Sequence, residues 1–206
     1  MRYDFKTHHR RSIRLKGHDY SQTGMYFITI CSNNKENIFG SVIGEKMILS
    51  EIGKIVSEEW LKSEHIRQEI ELDEFIIMPN HMHAIVGICD DAVNHEGERP
   101  FAPTIGIKRR SLSSLLAGFK SSATNRINIF RGTPGAPVWQ RNYYEHIIRS
   151  EKSLEKIRQY IYYNAAGWQN DIENTDNKDI SESDRKRYYI NIIVGANGVR
   201  PFTKKT

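Results

Sequence analysis

The sequence predicts an α+β protein of the ferredoxin-like, or RRM-like, sandwich: an antiparallel sheet with helices, followed by a C-terminal tail. Three observations lead there. Four β-branched and aromatic segments alternate with two amphipathic ones in the order strand, helix, strand, strand, helix, strand. Two of the strand-like segments are joined only by Pro79-Asn80, a connection short enough for a hairpin or tight turn. At 206 residues the chain holds one domain with a full core but is short for two.

Each element has its own warrant. Tyr26 to Cys31 (YFITIC) lies between Gly24 and Ser32-Asn33-Asn34 and reads as a buried strand. Ser50-Glu51 opens a helix to Arg67, with Ile52, Ile55, Val56, Trp60 and Leu61 at helical spacing. Leu72 to Met78 and Met82 to Ile88 are the next two strands, followed by a polar loop from Asp90 to Gly106. Ser111 caps a second helix to Ile127, with Leu112, Leu115, Leu116, Phe119 and Ala123 on one face. Val138 to Ile148 is the last core strand and Glu151 to Ala166 a third helix. In this sandwich the helices pack on one sheet face and the other is left free. Asp171 to Asp184 is acidic and almost without apolar residues, so it reads as a mobile linker to the tail Tyr188 to Thr206. The domain is expected over 1–168, with linker and tail over 169–206.

Composition bounds the function classes. With 38% hydrophobic and 27% charged residues the chain is an ordinary globular one, and its apolar runs are too short for a membrane span. The first residues lack the apolar core and cleavage site of a secretory signal, so a cytoplasmic location is expected. Cys31 and Cys89 are too few for a disulfide framework or a cysteine zinc site, and both read as buried free thiols. The net charge is +5. It clusters in Arg10, Arg11, Arg14 and Lys16, in Lys108, Arg109 and Arg110, and in Arg185, Lys186 and Arg187, which favours a polyanionic partner over merely solvated surface.

The sharpest local feature is His81-Met82-His83 at the head of an apolar run. Strand residues two apart share a face, so both imidazoles project together while Met82 points the other way, which makes half of a divalent-metal site. On the third helix Leu154, Ile157 and Ile161 form one arc. Tyr160 and Asn164 lie at its edge one turn apart, while Tyr162 and Tyr163 point elsewhere. If that arc packs on the sheet, only Tyr160 is carried toward it. The same spacing also fits a core-edge tyrosine with a wet hydroxyl and an asparagine that caps the helix end.

Four stretches resemble the REP-associated tyrosine transposases, part of the single-tyrosine HUH transposases of insertion sequences. They are HHRRSIRLKGHDYSQTGMYFITIC (His8 to Cys31), FIIMPNHMHAIV (Phe75 to Val86), VWQRNYYEHIIRS (Val138 to Ser150) and YIYYNAAGW (Tyr160 to Trp168). The likeness keeps the family's motif order over most of the chain from His8 to Trp168, and its family fold is the same sandwich. It implies that His81 and His83 are the HUH metal ligands, Tyr160 the nucleophile and Asn164 the residue that completes the metal site. Ala165 stands where the family commonly has proline, which would only help to stop the helix.

The resemblance also implies a reaction: cleavage and rejoining of single-stranded hairpin DNA through a 5′-phosphotyrosine, on REP-like palindromes. The cation is expected to be Mg²⁺ or Mn²⁺, since an amide oxygen and a phosphate suit hard ions. Arg10, Arg11, Arg14, Lys16, Lys108, Arg109 and Arg110 are the candidates for the DNA backbone. Tyr143 and Tyr144 fit either base stacking or sheet packing. The protein is expected to act as a monomer or homodimer. Two other readings compete: a catalytically silent hairpin-binding protein derived from a transposase, and an HUH replication initiator or relaxase.

Overall fold

A computed structural model describes residues 22–89, 111–177, 187–189 and 191. In chain order these form strand β1 (Gly24–Cys31), strands β2 (Gly40–Ile43) and β3 (Lys46–Leu49), helix α1 (Glu51–Ile66), strands β4 (Ile70–Ile77) and β5 (His81–Ile88), helix α2 (Leu112–Arg131), strand β6 (Tyr144–Ile148) and helix α3 (Glu151–Tyr162). The four-stranded sheet has the order β4-β5-β1-β6, with every neighbour antiparallel. Without the β2–β3 hairpin, the element order and strand order are those of the ferredoxin-like sandwich.

The helices start where the serines allow. Ser50 accepts a hydrogen bond from Gly53 N at 3.1 Å, Ser111 and Ser114 form a reciprocal capping box, and Ser150 accepts from Ser153 N at 3.2 Å. α2 ends on Gly132, whose φ of 66° is left-handed backbone that favours glycine. α1 and α2 bury Val56, Trp60, Leu112, Leu115, Leu116 and Phe119 against the even face of β1 and β5, formed by Tyr26, Ile28, Ile30, Met82, Ala84 and Val86. The odd face is not free. α3 covers it, with Leu154, Ile157 and Ile161 on Phe27 and Ile85. Each such aliphatic side chain contributes about 1.5–3 kcal/mol. Because both faces are covered, β5 is buried at all eight positions.

α3 is also tied down at the sheet edge. The β4–β5 register shifts between Leu72 and Phe75, and in that irregularity Asp73 accepts a two-pronged hydrogen bond from Arg158 of α3, at 3.0 and 2.6 Å. This fixes how α3 lies over β5, and with it where Tyr160 falls.

Several expectations are corrected. The hairpin β2–β3 was not foreseen; it turns through Gly44 and Glu45, both at positive φ, as a tight two-residue turn requires. The strand expected over Val138 to Ile148 is broken. Trp139 bridges Ser32, then Lys120 Nζ donates to the carbonyls of Gln140 and Asn142 at 2.9 and 3.2 Å, taking the place of strand pairing before β6 begins. α3 stops at Tyr162 rather than Ala166, its end tightened by Asn164 N donating to Ile161 O at 3.2 Å. Cys31 is partly buried and Cys89 exposed, so the two thiols are not both interior. Among the described residues no helix is long and apolar enough to cross a membrane.

The expected linker begins differently as well. Asp171, Ile172, Glu173 and Asn174 are buried. Ile172 joins the core under α3, and the acidic side chains are satisfied inside the protein instead of by water.

Candidate active site and metal centre

The site is built on the odd face of β1 and β5. Register pairs Cys31 with His81 and Thr29 with His83, and the two imidazoles stand side by side on the central strand β5, both wholly buried. Their Nε2 atoms are 3.0 Å apart. Each ring is held from behind through Nδ1, His81 by Asn80 Oδ1 at 2.8 Å and His83 by Thr29 Oγ1 at 2.8 Å. Burial, reinforced for His81 by His83, holds both far below the usual histidine range, His83 at about 3. Both are therefore neutral at physiological pH, the form that binds metals.

α3 brings the third group. The Tyr160 hydroxyl lies 3.0 Å from His83 Nε2, while Tyr162 and Tyr163 are 73% and 63% exposed. The contact is direct, because Ile157 and Ile161 seat the helix on Phe27 and Ile85. Tyr160 is half-buried as a residue, but its hydroxyl is the inner end. Burial, then the charge of Asp171, push the phenol well above 10.

Asn164 follows into the site from the tightened end of α3. Its Nδ2 donates to Asp171 Oδ2 at 3.2 Å, and its Oδ1 is buried with no hydrogen-bond partner. Asp171, from the segment read as linker, brings a carboxylate oxygen within 4.8 Å of the His81 and His83 nitrogens. Burial raises its carboxyl to about 7. Two neutral imidazoles and a carboxylate with donor atoms within 4.8 Å of one another, beside a buried amide oxygen without a partner, are the kinds of donor a divalent cation takes. The residues present fit the group.

A second ring of residues, not foreseen, closes around this core. Glu173 pairs with Lys35 and accepts from the Tyr189 hydroxyl at 3.1 Å. Tyr189 meets His83 edge-on at 6.0 Å between centroids, and Trp168 lies 6.0 Å from His81. Of the residues that hold the two rings from behind, Asn80 directly precedes His81 and Thr29 is the one short hydroxyl side chain in β1, and these carried a local signal.

The expected DNA contacts divide. Arg10, Arg11, Arg14, Lys16, Lys108, Arg109 and Arg110 lie outside the described residues. Tyr143 packs against the α1–α2 core, its hydroxyl 3.3 Å from Ser113 Oγ. Tyr144 sits on the opposite sheet face, stacked on Tyr189 at 4.6 Å, and burial lifts its phenol to about 12.

No protein-family model matches the chain. An uncharacterised protein of Haemophilus influenzae is 39% identical over 176 residues, spanning 82% of this chain and 96% of that protein. A second Haemophilus influenzae protein, provisionally named a REP-associated tyrosine transposase, is 23% identical over 146 residues, 71% of this chain and 72% of its own. Among solved structures, that of a REP-associated tyrosine transposase bound to a REP hairpin superposes with a TM-score of 0.52 at 18% identity, over 75% of this chain and 73% of the other. The chain thus shares its fold with a REP-associated tyrosine transposase and resembles, in sequence, a protein of that name.

Proposed function

We propose that this protein cleaves and rejoins single-stranded hairpin DNA, with Tyr160 as the attacking group and His81, His83 and Asn164 around a divalent cation. The observation that carries the reading is the 3.0 Å approach of the Tyr160 hydroxyl to His83 Nε2. A nucleophile and two neutral imidazoles of one chain converge there, and among three neighbouring tyrosines only this one is directed inward. The relatives named as transposases, one of them bound to a REP hairpin, support the substrate class.

In the proposed step Tyr160 Oη forms a bond to the scissile phosphorus. The bond to the 3′ oxygen breaks, and that oxygen leaves with a proton as a free 3′ hydroxyl. The 5′ phosphate remains on the tyrosine, so the energy of the bond is kept for a second 3′ hydroxyl to rejoin strands. A phenol held well above 10 is a poor nucleophile until its proton is taken. Asp171, whose charge acts on the phenol and whose own carboxyl sits at about 7, is the group placed to take it. The cation, Mg²⁺ or Mn²⁺, would supply Lewis-acid charge to the phosphate from His81, His83, Asn164 Oδ1 and the neighbouring Asp171.

The imidazoles are wholly buried, so a strand reaches them when surrounding residues, Trp168 and Tyr189 among them, give way. Because Tyr160 stands beside the histidines of its own chain, one protomer holds a complete site, which fits a monomer or a homodimer of independent sites. We further propose that the working unit is the expected 1–168 domain together with the buried 171–174 segment.

The test is a labelled single-stranded REP-like hairpin incubated with Mn²⁺ and run on a denaturing gel. The wild-type protein gives a protein–DNA adduct and Tyr160→Phe gives none. An adduct from Tyr160→Phe, mapped by peptide mass to another residue, refutes the assignment. Hairpin binding by the wild type with no adduct favours the silent binder.

A further inference from the structure

Asn80 stands between the histidine pair and the segment after α3, and its three hydrogen bonds determine the state of His81. Asn80 Nδ2 faces two backbone carbonyls, Glu173 O at 2.8 Å and Lys35 O at 3.3 Å. Carbonyls only accept, so the carboxamide has a single workable orientation: the NH₂ group points to them and Oδ1 points to His81. The flipped amide would set an oxygen against two oxygens in a position with no exposure at all. Oδ1 in turn only accepts. The 2.8 Å contact to His81 Nδ1 is therefore a hydrogen bond donated by the imidazole, and Nδ1 carries the proton.

We infer that Asn80 is a positioning residue that locks His81 as its Nδ1–H tautomer, leaving the Nε2 lone pair aimed at the cation site. Its grip comes from the Glu173 and Lys35 carbonyls, so the residues after α3 orient the first histidine although they are no part of the HUH motif.

His83 is held less strictly. With no proton on His81 Nε2, the 3.0 Å contact between the two Nε2 atoms needs a proton on His83 Nε2, and Thr29 Oγ1 then donates to His83 Nδ1. For His83 to bind a cation through Nε2, its proton must shift to Nδ1. The Thr29 hydroxyl permits this because it rotates from donor to acceptor. His81 is thus preorganised and His83 adapts, with no net release of a proton between the two forms.

The inference rests on the reading of His81 as a metal ligand, but its test needs neither DNA nor turnover. Long-range ¹H–¹⁵N spectra of ¹⁵N-histidine-labelled protein in EDTA report which ring nitrogen is protonated. The wild type is expected to show His81 protonated at Nδ1 and His83 at Nε2, with His83 alone exchanging its tautomer on addition of Mg²⁺. Asn80→Leu removes the acceptor and should release His81 from a single tautomer and weaken Mn²⁺ binding, read by electron paramagnetic resonance, about 10- to 100-fold. Asn80→Asp should restore both, because a protonated carboxyl can donate to the nearer Glu173 carbonyl and still accept from His81. A wild-type His81 protonated at Nε2 overturns the inference whether or not the leucine variant folds. So does a folded Asn80→Leu protein with unchanged tautomer and affinity. If the tautomers are as expected but neither Mg²⁺ nor Mn²⁺ disturbs either ring, the metal-centre reading fails while the role of Asn80 stands.

Discussion

Asp171 offers the most quantitative check, because a carboxyl raised by burial must leave a trace in stability. Its carboxyl moves from 3.8 to about 7, chiefly through burial and secondarily through the charge of Glu173, against the hydrogen bonds it accepts from Glu173 N and Asn164. The unfolded chain ionises this group near 3.8, whereas the folded protein keeps the proton until about 7. Between those values only the unfolded state loses the proton. Stability is therefore greatest in acid and falls by about 1.4 kcal/mol per pH unit, levelling off above 7.

Asp171→Asn has no such slope. It sacrifices one accepted hydrogen bond, at a pH-independent cost of about 1–3 kcal/mol. On that constant offset, the variant should gain about 2.5 kcal/mol on the wild type between pH 5 and pH 8. That is about 5–10 °C in the difference of melting temperatures for a chain of this size. Urea or thermal unfolding of both proteins in EDTA measures it, since every other titrating group cancels in the comparison. A difference that does not change with pH would mean that Asp171 is ionised throughout, and the reasoning that burial raises its carboxyl would be refuted.

Other outcomes follow from the same geometry. His81→Ala or His83→Ala should abolish cleavage and lower Mn²⁺ affinity by more than tenfold while gel-shift binding of the hairpin persists; equal loss of binding would mean that the histidines serve the fold. Tyr162→Phe and Tyr163→Phe, at exposed positions, should keep adduct formation within about twofold of wild type in the denaturing gel. Burial of Glu59 on α1 is outweighed by hydrogen bonds from Ser122, Lys62 and Arg126, which hold its carboxyl at about 2 rather than 4.5. It therefore contributes about 3 kcal/mol that is present above pH 4.5 and lost as pH falls toward 2, and Glu59→Gln should flatten acid unfolding in that window. Replacing Arg10, Arg11 and Arg14 should weaken binding to all DNAs and flatten its dependence on salt; an unchanged slope would remove that basic run from the interface.

What the sequence determined by itself was whatever repeats with a local period. Alternation in HMHAIVGI placed His81 and His83 on one face, the 3.6-residue spacing of Leu154, Ile157 and Ile161 singled out Tyr160, and serines marked two helix starts. The short hairpin β2–β3 was missed because four-residue strands with half-exposed side chains carry too little pattern to stand out. Only the tertiary structure decided which polar residues complete the site. Asn80 meets the Glu173 carbonyl across 93 positions of sequence, and Thr29 meets His83 across 54. Asp171 and Glu173 sit in a run whose composition is that of solvated linker, and composition registers how readily a segment is hydrated, not whether a distant neighbour offers it a buried partner. The strands and α3 were legible because their own side chains dictate them; the surroundings of the histidines were not, because they depend on where the sheet brings separate parts of the chain together.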